Sequence, residues 1–278
     1  MKLFDQHLHS RHSFDSRAEP ADNVRRAIEV GLSGLTFTEH YDTHPNERDR
    51  CVYDEEAYSA TIAALRAEFG KDIWIGKGIE VCYQPANIAE IVEFLGRRRF
   101  DLVILSVHWS QGHPIHDPSA WQGRDASLVT RKYLQTVRDA MRECERLHRG
   151  QGRVFDVLGH LDFAKRYGMR FLGVNHVDDH GDVIDEILGA CLAADVVPEV
   201  NTSTIRQGLG ESMPGPAVIR RYAELGGTMM SLGSDSHRAG DIGADFAQAV
   251  SWLVEAGIGY AAVFKERQRR GEKLSGQN

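Results

Sequence analysis

Cysteine is scarce in this chain: four in 278 residues, at Cys51, Cys82, Cys144 and Cys191. None forms a Cys-x-x-Cys pair, and the wide spacing speaks against a disulfide framework. Reduced thiols in a cytoplasmic protein are the expectation. Long apolar runs are missing too. None approaches the roughly 20 residues of a membrane span, and the opening Met-Lys-Leu-Phe-Asp lacks the apolar core of a secretion signal. Positive charge is in short supply. Lys and Arg number 33 against 40 Asp and Glu, a formal net charge of −7. That balance argues against nucleic acid and anionic membrane as partners. An anionic substrate would need local positive charge, and bound metal ions would supply it. No heptad repeat is visible, which leaves the oligomeric state open. Only the polar last ten residues look low in complexity, and they read as frayed.

What is present is ordinary in bulk: 42% apolar and 26% charged residues, the composition of a globular protein. Seven segments read as β-strands, at 2–9, 34–40, 73–82, 101–109, 154–161, 196–201 and 227–234. Between them, helices are expected from Pro20 to Gly31 and over 54–69, 87–99, 127–149, 178–194 and 215–225. Residues 110–124 and 165–177 read as irregular loops. Two further helices are expected near 244–256 and 259–270. Strands alternating with helices imply a parallel sheet. With no linker in sight, one closed or nearly closed barrel over 1–278 is favoured above an open doubly wound sheet.

Six of the seven strands end in metal-binding residue types. The endings are His7-Leu8-His9, Glu39-His40, Glu80, His108, His160 and Asp235-Ser236-His237. In a β/α barrel such positions converge on one mouth, where active sites are built. Side chains two apart on a strand share a face, so His7 pairs with His9 and Asp235 with His237. A lone His-x-His is weak, but six strand ends at once point to a multinuclear metallohydrolase. Glu80 has two oxygens and can bridge two ions. Asp15, in the loop after His9, reads on spacing alone as a turn or capping residue. Asp5 is placed on the face of His7 and His9, one step deeper.

The ordered set "HLHSRHSFDS" at 7–16, "TEH" at 38–40, "GIE" at 78–80, "SVH" at 106–108, "GHLD" at 159–162 and "GSDSH" at 233–237 resembles the polymerase-and-histidinol-phosphatase family of metal-dependent phosphoesterases. The likeness covers essentially the whole chain. It implies a distorted (β/α)7 barrel, TIM-like, with the site at the C-terminal strand ends, and three divalent ions (Zn, Fe or Mn). By the same resemblance His7, His9, Glu80 and Asp235 hold the first ion. Glu80 bridges to the second, completed by His108 and His160. Asp15, His40 and His237 hold the third, and Glu39 supports His40 from behind. Within the family the chain is most similar to the stand-alone histidinol-phosphate phosphatases. "EVNTSTIRQG" at 199–208 resembles their strand-6 segment and implies Arg206 as a phosphate contact. "GHLDFAKRYG" at 159–168 brings Lys165 and Arg166 near the same mouth.

The implied reaction is hydrolysis of L-histidinol phosphate to L-histidinol and inorganic phosphate, a step of L-histidine biosynthesis. A hydroxide bridging two ions would attack phosphorus. Glu80, Asp235 and Arg206 form the implied catalytic set, with Arg206 suited to bidentate phosphate binding. The leaving alkoxide would take its proton from Asp162 or from an ion-bound water. Loops 41–53, 109–124 and 165–177 are the expected walls. Trp109 and Trp121 are expected to pack loop on barrel rather than stack on substrate, and His113 and His116 to be solvated. Two rival readings remain: a phosphatase of another small ester such as a nucleotide or nucleoside bisphosphate, and a binuclear amidohydrolase or deaminase. The latter usually carries a strand-4 lysine, whereas strand 4 here ends in His108 and Lys77 is the nearest strand lysine.

Overall fold

The computed structural model describes residues 1–274. Seven strands run in parallel: β1 (Phe4–Leu8), β2 (Gly34–Tyr41), β3 (Trp74–Cys82), β4 (Leu102–Ser106), β5 (Val157–Leu158), β6 (Val197–Asn201) and β7 (Met229–Gly233). They lie side by side in sequence order. Helices fill the crossovers: α1 (Pro20–Glu29), α2 (Glu55–Phe69), α3 (Ile88–Gly96), α4 (Ala126–Gln151), α5 (Ala164–Leu172), α6 (Gly181–Ala194), α7 (Pro216–Glu224) and α8 (Phe246–Glu255). Local chemistry starts several of them. Pro20 opens α1, and the Asp54 and Asp125 carboxylates accept the amides of Ala57 and Leu128 to cap α2 and α4.

The sheet closes at its C-terminal end. Leu8 bridges Ser236 in parallel. The His9 amide donates to Ser236 O at 2.8 Å and the Asp235 amide to His7 O at 2.7 Å. The two strand ends that carry four of the expected ligands are therefore tied to each other by backbone.

Apolar packing falls into three regions. Leu8, Leu35, Phe37 and Ile75 meet Val24 of α1 and Tyr58 and Ile62 of α2. Val103 and Leu105 of β4 belong to the largest cluster, with Tyr133 and Val137 of α4 and Ile187 of α6. The barrel floor holds Leu102, Ile104, Val157 and Val197 with Ala262 and Phe264.

Those last two residues mark a difference from expectation. Residues 259–270 are not helical. They belong to a hairpin, β8 (Tyr260–Lys265) and β9 (Gln268–Lys273), with β8 parallel to β7. Glu266 and Arg267 both have positive φ, 49° and 64°, the two-residue turn that matches strand twist. Tyr-Ala-Ala-Val-Phe gives β8 a buried face, and pairing outweighs the helix preference of the charged residues after it. The expected frayed tail is thus strand through Lys273, and residues 275–278 lie outside the described residues. Residues 165–177 also differ, since most of α5 lies there, closed by Gly173 in the left-handed conformation.

Candidate metal centre

A bulge decides how β1 presents its side chains. The register with β2 shifts between Asp5 and Leu8. Gln6 turns to the floor, where its amide bonds Ser231 Oγ, Ala262 O and the Phe264 amide. His7 turns to the mouth beside it. Asp5 leaves the ligand face and accepts the amides of Ser234 and Gly243, both at 2.9 Å. It is therefore not in line with His7 and His9, as strict alternation had suggested.

Around Glu80, four strands bring imidazoles together. Glu80 Oε2 lies 2.9 Å from His40 Nδ1, 3.4 Å from His7 Nε2 and 3.5 Å from His9 Nε2. Its Oε1 lies 2.9 Å from His160 Nε2 and 3.4 Å from His108 Nε2, and accepts the Ser106 hydroxyl at 2.6 Å. Asp235 Oδ1 sits 3.6 Å from His9 and 3.9 Å from His7. Asp15 is no mere turn residue: its Oδ2 is 3.1 Å from His237 Nε2 and 3.3 Å from His40 Nε2. All nine expected ligands meet in one place. Asp235 has φ 51° and His160 φ 20°, conformations that cost energy outside glycine.

Close backbone approach makes this possible. A Cβ on Gly233 would stand 2.1 Å from Glu199 Oε1 and 2.5 Å from His7 Cβ. Only glycine fits there, which gives the first letter of "GSDSH" a physical meaning.

The residues fit divalent ions on their own chemistry. Among the described residues, Nε2 of His7 and His9, Nδ1 of His160 and Oε2 of Glu80 are buried with no well-aligned hydrogen bond, a costly state that a cation would relieve. Without ions, protons fill the gap. Burial opposes charge on His7 and His40, yet Glu199 and Glu80 beside the first, and Glu80 and Asp15 beside the second, hold both pKa values well above 6.5. His9 goes the other way, down to about 3, through burial and the neighbouring His40 and His237. Glu80, Asp235 and Asp15 resist burial and stay well below the usual carboxylate range because histidines surround them.

Supporting contacts differ in part from expectation. Glu39 does not touch the His40 ring. It accepts Ser10 Oγ at 2.6 Å and Ser13 Oγ at 2.5 Å, and Ser13 in turn meets His9 Nδ1 and the His40 amide. Burial pushes the Glu39 pKa up to about 7. The carboxylate that orients a ligand is Glu199, whose Oε1 lies 2.7 Å from His7 Nδ1 and whose Oε2 accepts the His160 amide. It stands in the quoted segment "EVNTSTIRQG", but no spacing rule marks it; only barrel register does.

A cavity of about 340 Å³ opens on the centre. All three expected loops line it, through Asp42, Glu47, Trp109, His116, Arg166 and Tyr167 among others. His44 stacks on Trp109 at 3.4 Å. Trp121 is buried and bonds Ile115 O, while His113 pairs with Arg124 at the surface. His116 reaches the cavity, contrary to expectation. Arg166 donates to Asp235 Oδ2 at 3.1 Å and also meets Ser203 Oγ. Arg206 donates to Ser234 O at 2.7 Å and Asp235 O at 3.0 Å, and lines a neighbouring cavity of about 450 Å³ together with Arg166. Lys165 does not serve the mouth. Its ammonium is buried against Asp162 and Glu211, 2.9 Å from each, and burial holds the Asp162 carboxyl above its usual range against that pairing. Lys77 pairs with Glu55 and lies over the Tyr58 and Phe100 rings, away from the centre.

The PHP domain model matches residues 5–203. The chain belongs to the PHP domain family. Relatives of this PHP protein include the probable histidinol-phosphatase of Deinococcus radiodurans, 30% identical, with 96% of this chain and 98% of that one covered. The histidinol-phosphatase of Lactococcus lactis is 30% identical, with 95% of each covered. A crystal structure of the Lactococcus histidinol phosphate phosphatase with zinc, L-histidinol and phosphate superposes with a TM-score of 0.86 at 28% identity, covering 97% of this chain and 99% of that one. The putative histidinol phosphatase of Listeria monocytogenes shares the PHP fold at a TM-score of 0.76 and 20% identity.

Proposed function

We propose that this PHP protein hydrolyses L-histidinol phosphate to L-histidinol and inorganic phosphate, with three divalent ions held by the nine residues above. The observation that carries this reading is the convergence of those nine ligands in a chain whose Lactococcus relative binds zinc, L-histidinol and phosphate. His7, His9, Glu80 and Asp235 would hold one ion, Glu80, His108 and His160 a second, and Asp15, His40 and His237 a third. Bound divalent ions supply Lewis acidity toward the phosphoryl oxygens and toward water.

The chain's own groups do the rest. Arg166 lines both cavities, and its planar fork suits a phosphate oxygen pair. Arg206 acts through the backbone: by gripping the carbonyls of Ser234 and Asp235 it fixes the turn that aims Asp235 and His237. For the leaving alcohol, Trp109, Phe163 and Tyr167 offer aromatic walls, beside the Glu47–Arg50 ion pair at the cavity rim. An amidohydrolase reading lacks its lysine, because Lys77 faces Glu55.

The test is phosphate release by protein reconstituted with Zn, Mn or Fe. L-Histidinol phosphate should exceed a panel of sugar phosphates and nucleotides in kcat/KM by on the order of 100-fold or more, the scale that pocket fit alone supports. Even activity across the panel, or a preference for nucleotides, would discard the substrate and keep the phosphoesterase.

A further inference from the structure

Alternation along a strand repeats the ligand columns one step further out. Asp42 follows His40 by two residues, Cys82 follows Glu80, and His108 follows Ser106, whose hydroxyl already touches Glu80. The strands concerned are neighbours, and His40 is the register partner of Glu80. A second row of donors thus stands above the first on the cavity wall. One donor atom from each of Asp42, Cys82 and His108 lies within 4.8 Å of the other two, and all three residues line the 340 Å³ cavity.

We propose that Asp42, Cys82 and His108 form an additional cation position, taking one thiophilic divalent ion such as zinc. The donor set is a carboxylate, a sulfur and an imidazole, the mixture zinc favours in four-coordinate sites with one open position. Ligand atoms around tetrahedral zinc stand roughly 3.5 Å apart, so with every donor pair within 4.8 Å the row already lies close to zinc-binding geometry. Its members are lightly committed. Asp42 Oδ1 accepts the His44 amide at 2.7 Å and Gln84 Nε2 at 3.4 Å, and no hydrogen bond reaches its Oδ2 among the described residues. Cys82 Sγ accepts Gln84 Nε2 at 3.5 Å and faces the Asp42 carboxylate and the His108 backbone amide. Binding releases the thiol proton to solvent. The ion's fourth position faces the cavity. His108 is shared, since its Nε2 is 3.4 Å from Glu80 Oε1. An ion in the outer row therefore draws His108 from the inner centre, and zinc in excess slows turnover.

Cobalt(II) titration of the full chain tests this. After the inner centre fills, a thiolate-to-cobalt charge-transfer band should rise in the near ultraviolet. It should vanish in Cys82→Ser and persist in Cys51→Ser. Asp42→Asn should weaken that last equivalent about tenfold or more, the scale seen when support for a metal site is lost, and it carries the test if Cys82→Ser does not fold. The zinc concentration that halves phosphate release should rise about tenfold in Cys82→Ser. No band in the wild type, a band that survives in Cys82→Ser, or equal zinc sensitivity of the two proteins overturns the proposal. The spectral readout is independent of the substrate, so it fails or holds apart from the histidinol assignment.

Discussion

Glu199 holds His7 by its Nδ1 at 2.7 Å, so the neutral ring keeps its proton there and turns a lone pair on Nε2 toward Glu80 and Asp235. Glu199→Gln keeps the volume but loses the strong acceptor. Affinity for the most weakly held ion should fall about 10- to 100-fold, read as metal content after dialysis against graded chelator. Unchanged retention would mean that backbone alone orients His7. At this scale Asp15, in a loop, stood out only through the family resemblance, whereas the candidate ligands at strand ends were legible in the sequence, because period-two spacing is written in residue order. Glu199 was not, because its aim depends on how β6 registers against β1. Asp5 was misplaced for a related reason: a bulge adds a residue to one strand, and nothing in Phe-Asp-Gln-His announces it.

Elements built from apolar runs with turn residues at their ends were readable, and the seven barrel strands are of that kind. The β8–β9 hairpin hid because its second strand, Gln-Arg-Arg-Gly-Glu-Lys, is exposed and draws its stability from pairing. Its turn also does structural work. Arg267 reaches Asp156, which is fully buried and also accepts the Val103 amide. Arg267→Ala strands that carboxylate, and unpairing a buried charge costs about 3 kcal/mol. A urea midpoint series measures it. A loss below about 1 kcal/mol would class the pair with surface ion pairs.

For the whole molecule, ions and protons compete for the same histidines. In the ion-free protein, the raised pKa values of His7 and His40 contribute stability that is complete below 6.5 and is lost as pH climbs through the raised values. In the loaded protein the sign reverses, since ions bind deprotonated ligands and are released by acid. The difference in Tm between loaded and chelator-stripped protein should therefore widen from roughly pH 6 to roughly pH 9. Melts at four or five pH values decide it, and a gap that stays flat or narrows would contradict the competition.

The first strand is stitched to β8 of the C-terminal hairpin: Gln6 bonds residues 256 and 258 positions further along the chain. On a translating ribosome His7 and His9 emerge well before the residues that seat them. His40, Glu80, His108 and His160 must wait in an unfinished ring meanwhile. Ion capture thus follows synthesis of the C-terminal hairpin, and a nascent chain stalled short of it, however long its finished helices, carries a reaction centre that has not yet come into being.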